Sequence, residues 1–351
     1  MGNSNLLPLT LGLIIFSFLI SSLLVVPFIN LLYKLRLTRA KEAPKKGKVH
    51  LFDKLHDVKA GTPVGGGNLV IFIVVVLFSI LFPVARRLGV YIQSSYDLNG
   101  ELFVMFFTFI SFGLLGLLDD LVKIFGKKEA GPMGLWVGLR RWQKFGLQCV
   151  LAIIIGLSFY YKLGIHIVHI PLINITYDMG LWYIPFSAFV IISFSNAFNI
   201  TDGLDGLASG LLLICLGAFG IIVSGQLDTP LSMFIALWLG ALIAFLYFNV
   251  YPARIFLGDA GAMSFGAMLA VIGLLTGSIV ALVVIGGIFV IEAASSAIQI
   301  FGWRVLKRPI FPLAPIHHTF LAIGWEEPKI VMRAWLLGIM LAIFGLWLAT
   351  I

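Results

Sequence analysis

Aspartate, asparagine and histidine recur in this sequence as short blocks set between long apolar runs, and their spacing suits chemistry on charged oxygen groups. In Ser195–Gly206, the residues Asn196, Asn199, Asp202 and Asp205 come every three positions, so a helical end presents them as a stripe. A helix cap uses one such residue rather than four, and Gly203 and Gly206 let backbone approach a ligand. Asp119 and Asp120 are adjacent and directly follow Leu114–Leu118. Neighbouring carboxylates at a lipid boundary repel unless a cation or proton settles them, so one can accompany a metal while the other serves as general base. Asp259 stands between Gly258 and Gly261 and reads as part of a glycine-flanked turn open to phosphate or metal. Pro309, Pro312 and Pro315 precede Ile316-His317-His318, which predicts that the histidines are displayed on an irregular or re-entrant loop. Adjacent histidines do not share a helix face as in H-E-x-x-H, so they suit phosphate contact or proton transfer and not a zinc protease.

Two further features are structural in character. Gly61-Thr62-Pro63-Val64-Gly65-Gly66-Gly67 lacks the Lys-Ser/Thr ending of a P-loop; it permits tight helix packing or substrate approach. Glu292 falls inside an apolar run with Ser295, Ser296 and Gln299 on its helical face, which predicts a supporting role with hydroxyl and amide partners. Many carboxylates, a histidine pair and no thiolate cluster together indicate a hard cation, and oxygen ligands completed by waters and phosphates favour Mg²⁺ over zinc. Lys59, Arg141 and Lys144 can neutralise a diphosphate.

The elements that must position these groups are membrane helices. The chain has 351 residues, 60% of them apolar and only 11% charged, more apolar surface than a water-soluble domain could cover. Apolar runs lie near 6–33, 68–85, 102–118, 145–163, 181–198, 207–224, 231–250, 262–276, 279–301 and 334–351. Most can cross a core of about 30 Å at about 1.5 Å per residue. The expected fold is therefore an all-α polytopic membrane protein of about ten transmembrane helices, with residues 1–351 forming a single integral membrane domain. The first run is too long and wrongly flanked for a signal peptide, and Leu6 breaks the myristoylation pattern. Cys149 and Cys215 lie in apolar runs and read as small buried hydrophobes.

Charge distribution orients the bundle. Loops after odd-numbered runs hold 21 of the 24 Lys and Arg, the others holding Arg86, Arg87 and Lys162. The positive-inside rule then places the odd loops in the cytoplasm and both termini outside. It also accounts for the net charge of +8 without nucleic acid as a partner. Eleven of the sixteen acids fall on the same cytoplasmic side, although acids contribute little to topology. A magnesium site at that boundary suits a reaction between a nucleotide-linked phosphate and a membrane lipid.

At these blocks the sequence resembles the polyprenyl-phosphate sugar-1-phosphate transferases, and within them the bacterial phospho-N-acetylmuramoyl-pentapeptide transferases. The resemblance rests on Lys59–Pro63 with Gly66-Gly67, on Asp119-Asp120, on Asn196–Gly206, on Phe256–Gly261 and on Ala314–His318. Phe289–Ala293 and Gly324–Pro328 add to it. It implies a multi-pass protein of the bacterial inner membrane, usually a homodimer, with a cytoplasm-facing active site and Mg²⁺ as cofactor. The implied reaction joins undecaprenyl phosphate to the sugar-linked phosphate of a UDP-linked amino sugar, UDP-N-acetylmuramoyl-pentapeptide, releasing UMP and forming lipid I for peptidoglycan synthesis.

By the same resemblance Asp259 and Asp202 bind the metal, Asp119 and Asp120 stand nearby with one as base, and His317 and His318 line the sugar-phosphate site. Asn199, Asp202 and Asp205 hold nucleotide or metal, Phe256 stacks on uracil, Lys59 and Lys144 meet phosphates, and Thr62, Asn196 and Asn249 join the substrate-binding set. Val64-Gly65 replaces Thr-Met, and Thr319 replaces a third histidine usual in the family, in the loop that the resemblance associates with recognising the muramoyl-peptide donor. The alternatives are a transferase taking a UDP-N-acetylhexosamine without peptide, or a transporter or flippase. Transporters carry binding groups near the bilayer midplane, whereas here only Glu292 is deep.

Overall fold

Lipid leaves no partner for backbone N–H and C=O groups, so apolar runs of this length are obliged to become helices. The computed structural model describes residues 6–39, 59–125 and 141–351, and among them ten helices are long and apolar enough to cross a membrane. The basic residues between 40 and 58 and between 126 and 140, and the Arg141 side chain, lie outside the described residues. In chain order the first helices are α1 (Leu7–Lys34), α2 (Gly66–Arg87), α3 (Leu98–Phe125) and α4 (Arg141–Tyr161). A short antiparallel hairpin, β1 (Ile167–Ile170) with β2 (Ile175–Asp178), follows at the end of the bundle remote from Asp119. Then come α5 (Tyr183–Thr201), α6 (Leu207–Gln226), α7 (Thr229–Asn249), α8 (Gly258–Leu275), α9 (Ile279–Ile285), α10 (Gly287–Phe301), α11 (Ile316–Ala322) and α12 (Glu327–Thr350).

Four elements differ from expectation. The ninth run is two helices, α9 and α10, broken at Gly286, where a Cβ would lie 2.7 Å from the Phe194 ring of α5. A glycine pair is a usual place for a helix to bend, and here a neighbouring ring fills the space. Asp119 and Asp120 do not end α3; the helix runs on to Phe125 and buries both. Asp259 is not in a turn but in the first turn of α8, which starts at Gly258 with φ +80°. The histidines sit in the first turn of α11 rather than on an irregular loop, because the last proline, Pro315, occupies the N-cap and leaves the following residues free to coil.

Helix α8 is the hub. Every residue from Ala260 to Leu275 is buried, as expected of a helix apolar all round. Its neighbours reach it because they meet it with glycine. A Cβ on Gly67 of α2 would lie 2.3 Å from Gly261 Cα, and one on Gly116 of α3 would lie 2.2 Å from the Asp259 carbonyl oxygen. Small residues of this kind let membrane helices pack backbone to backbone, and the glycine-rich segment before α2 serves that purpose. That segment also joins a short ladder: Phe256 N–H donates to Pro63 O at 2.8 Å, and Gly66 N–H donates to Phe256 O at 2.9 Å.

At the remote end Glu101 and Asp228 are buried, although the sequence places them at an outer loop. Asp228 caps α7 by accepting from Leu231 N–H at 3.0 Å and also accepts from Ser95 N–H at 3.1 Å.

Replacing Gly116 by Ala should lower the unfolding midpoint in detergent, at a cost of about 1–3 kcal/mol for overpacking. Gly146→Ala, where a Cβ would meet nothing within 4 Å, should leave it unchanged or slightly raised. Thermal or SDS unfolding of both variants checks this.

Candidate active site

Gly116, Asp119, Asp120 and Lys123 recur at one face of α3, so the glycine that admits α8 also delivers these three side chains to the α8 N-terminus. There Asp259 gains from the helix dipole, which favours a carboxylate in the first turn. Two ammonium groups bind the two carboxylates together. Lys144 Nζ lies 2.9 Å from both Asp119 Oδ2 and Asp259 Oδ2, and Lys123 Nζ lies 3.1 Å and 2.5 Å from the same two atoms. Asp119 is almost wholly enclosed, and both ammonium groups face it and Asp259, which offsets the repulsion between two carboxylates brought this close. Asn199 completes the Asp259 shell, its Nδ2 donating to Oδ1 at 3.2 Å. Asp120 is held differently, accepting the Ala260 N–H at 3.2 Å.

These groups open onto a cavity of about 270 Å³. Asp120, Asn199, Asp202 and Asp259 line one part, and Arg39, Lys59, Val64 and Phe256 another. The Arg39 guanidinium lies 5.6 Å from the Phe256 ring centroid, within cation–π range. Asp202, just past the end of α5, has its carboxyl pushed up to about 7, chiefly by burial and then by nearby Asp259, with Lys59 and Arg39 opposing. Such a carboxylate gains from a proton or a cation. No three of His, Cys, Asp and Glu gather closely enough among the described residues to cage a metal. Asp202 and Asp259 on the cavity wall are hard oxygen donors, and one or two carboxylates completed by phosphate and water are a usual way of holding Mg²⁺.

The expected polar stripe divides. Asn199 and Asp202 face the cavity, but Asn196 turns to α4 and donates to Gln148 Oε1 at 3.1 Å. Asp205 lines the cavity as well, tied to Lys59 at 2.6 Å and accepting Ala253 N–H at 2.9 Å, while its own N–H donates to Glu327. Lys59 bridges Asp205 and Glu327, 2.6 Å from each, at the cavity rim. Asn249 lines the cavity too, yet its side chain is engaged on both ends, accepting from Ser209 Oγ at 2.6 Å and donating to Ile255 O at 2.9 Å. Thr62 contributes its carbonyl, which accepts Arg39 N–H at 2.9 Å, and its side chain is not among the cavity-lining groups.

His317 and His318 are buried against one another, ring centroids 4.2 Å apart. His317 Nδ1 lies 2.9 Å from Glu292 Oε2. The Ser295 hydroxyl donates to the Glu292 backbone carbonyl and not to its carboxylate, and Gln299 bonds the backbone of Ile310 and Phe311, so these expected hydroxyl and amide partners do not satisfy the carboxylate; His317 does. His317 also lines a second cavity of about 280 Å³ between α10, α11 and α12, walled by Ile288, Ile291, Phe320, Trp325 and Leu337. Arg333, 4.5 Å from the Trp325 ring centroid, is a cation in that apolar lining.

Three contributors escape a motif search. Lys123 stands four residues after Asp119, a helical ion-pair spacing readable from the sequence. Glu327 lies in a block that resembles the family, but nothing local links it to Lys59. Arg39 reaches Phe256 only through the ladder between distant segments.

A family model described as glycosyl transferase family 4 matches residues 102–277. The phospho-N-acetylmuramoyl-pentapeptide-transferase of Bacillus pumilus (strain SAFR-032) is 33% identical over 337 residues, covering 95% of this chain and 96% of that protein. Proteins of the same name from Bacillus subtilis (strain 168) and Oceanobacillus iheyensis are 32% and 33% identical, each across 95% of this chain and 96% of the relative.

Removing one shared ammonium should expose the carboxylate repulsion. Lys144→Met should destabilise the fold by about 1–2 kcal/mol, less than a fully buried pair would cost because Lys144 is partly exposed. Adding Asp119→Asn should recover at least half of that loss in an unfolding titration.

Proposed function

Because the chain belongs to glycosyl transferase family 4 and to the phospho-N-acetylmuramoyl-pentapeptide-transferases, we propose that it transfers phospho-N-acetylmuramoyl-pentapeptide from the UDP-linked donor to undecaprenyl phosphate, yielding lipid I and UMP in peptidoglycan synthesis. One observation carries this: a polar, carboxylate-lined cavity and an apolar cavity lie on either side of His317 and Gly203, so a charged nucleotide and a lipid can be served together.

The residues divide the work. The Phe256 ring, with Arg39 above it, offers a stacking platform for uracil. Lys59 at the rim and Lys123 within the cavity draw the diphosphate inward, and Lys144 keeps Asp119 and Asp259 compensated behind it. Asp259 and Asp202, with Asn199 supporting Asp259, would hold Mg²⁺, whose role when bound is to neutralise the charge on the reacting phosphates. A carboxylate already shared by two ammonium groups is a poor base, so Asp120 on the cavity wall is better placed than Asp119 to take a proton from the acceptor phosphate. The acceptor oxygen then bonds to the sugar-linked phosphorus as the bond from that phosphorus to the UMP oxygen breaks. Phosphoryl transfer needs mainly this positioning and charge neutralisation.

The positive-inside count supports a cytoplasmic position for the site in the bacterial inner membrane, with both termini outside. Family resemblance alone supports a homodimer. Thr319, where relatives commonly have a third histidine, turns its hydroxyl to Leu313 O, which favours testing a peptide-free donor beside the muramoyl-pentapeptide one.

Purified protein in lipid nanodiscs with undecaprenyl phosphate and Mg²⁺ should release UMP from UDP-N-acetylmuramoyl-pentapeptide faster than from UDP-N-acetylhexosamines. Asp259→Asn should lower kcat by about 100-fold or more. No UMP from any donor would contradict the transferase, and preference for the peptide-free sugar would move the chain to the sister activity.

A further inference from the structure

The two ring nitrogens of His317 have different surroundings. Nδ1 meets Glu292 Oε2 at 2.9 Å, and the same oxygen accepts the His317 backbone N–H at 3.4 Å. Nε2 is buried and has no hydrogen-bond partner among the described residues. It faces Gly203, where a Cβ would come within 2.4 Å of it. Gly203 lines the polar cavity next to Asp202, so the unpaired nitrogen is directed at the wall of the reaction chamber across a position that only glycine leaves open.

A buried polar atom left unpaired costs about 1–3 kcal/mol, so its presence at this wall points to a ligand. The ring cannot turn to relieve it. An ionised carboxylate only accepts hydrogen bonds, so Glu292 places the proton on Nδ1. The hydrogen bond on one ring nitrogen thereby decides which nitrogen is offered elsewhere. Glu292 is anchored in turn, because the Ser295 hydroxyl donates to its carbonyl at 2.8 Å and accepts Ile316 N–H at 3.0 Å, joining α10 to the start of α11. Glu292 lines only the apolar cavity of the two, so any effect on the reaction passes through His317.

We infer that Glu292 is a positioning residue for the transfer: it holds His317 with Nδ1 protonated so that Nε2 is presented across Gly203 to a phosphate group in the polar cavity. The identity of that phosphate rests on the transferase function proposed above; the setting of the ring does not.

The test uses the full-length protein in nanodiscs with the UDP-N-acetylmuramoyl-pentapeptide donor. Glu292→Leu should lower kcat for UMP release about 10- to 100-fold while the donor KM changes less than about 3-fold. Glu292→Gln, whose amide oxygen still accepts from Nδ1, should recover most of the rate. Glu292→Leu combined with His317→Ala should be no slower than His317→Ala alone, the mark of residues acting as a unit. In ¹⁵N-histidine spectra, the His317 signal, identified by its loss in His317→Ala, should show protonated Nδ1 in the wild type and Glu292→Gln but not in Glu292→Leu. A wild-type kcat in Glu292→Leu, multiplicative losses in the double variant, or unprotonated Nδ1 in the wild type would overturn the inference. If the wild type released no UMP, the transferase function and the transfer role would fall together, while the spectra would still decide whether Glu292 sets the ring.

Discussion

The contact between α3 and α8 at Gly116 is the constraint on which the site depends. Only a residue without a side chain lets the Asp259 carbonyl come so close, and that closeness places Asp119, Asp120 and Lys123 opposite the α8 N-terminus. The pairing of charges follows from the packing and also repays it. Two carboxylates facing each other in a low dielectric would force the helices apart, and Lys123 and Lys144 remove that repulsion.

The remaining parts of the site hang on this centre. Asn199 and Asp202 arrive from the end of α5, which packs against the same hub helix. Phe256 comes from the segment just before α8, pinned by the backbone ladder to Pro63 and Gly66. Lys59 and Asp205 are drawn in from the far side by Glu327 at the start of α12. The chamber is thus built from loops and helix ends at one face, each fixed by a rigid membrane helix, while the apolar cavity beside it stays within the bundle. This division suits a reaction whose partners come from water and from lipid.

Much of this was legible in the sequence because lipid imposes a simple code. Long apolar runs must be helices, so ten crossings could be counted, and the gathering of Asp119, Asp120, Asp202 and Asp259 at one end follows from the count alone. What escaped depends on contacts between distant segments. Hydropathy continues smoothly through Gly286, and only the Phe194 ring of a different helix shows why the chain breaks there. Asp205 looks like Asp202 in the motif and lines the same cavity, but Glu327 and Lys59 also engage it in holding loops together, which the motif does not show. Glu292 had hydroxyls at helical spacing on its own helix, yet its partner is a histidine 25 residues away. Local pattern identifies which residues are chemical; the fold decides which of them face the chamber.

The proposed transfer requires above all that the donor bind in the one cavity lined by Asp259 and Asp202. The most direct measurement is an electron cryomicroscopy structure in nanodiscs with Mg²⁺ and UDP-N-acetylmuramoyl-pentapeptide. Uracil should lie against Phe256 and the diphosphate within contact of Asp259 and Asp202. A donor bound outside this cavity, with Asp259 still held only by Lys123, Lys144 and Asn199, would contradict the proposed transfer.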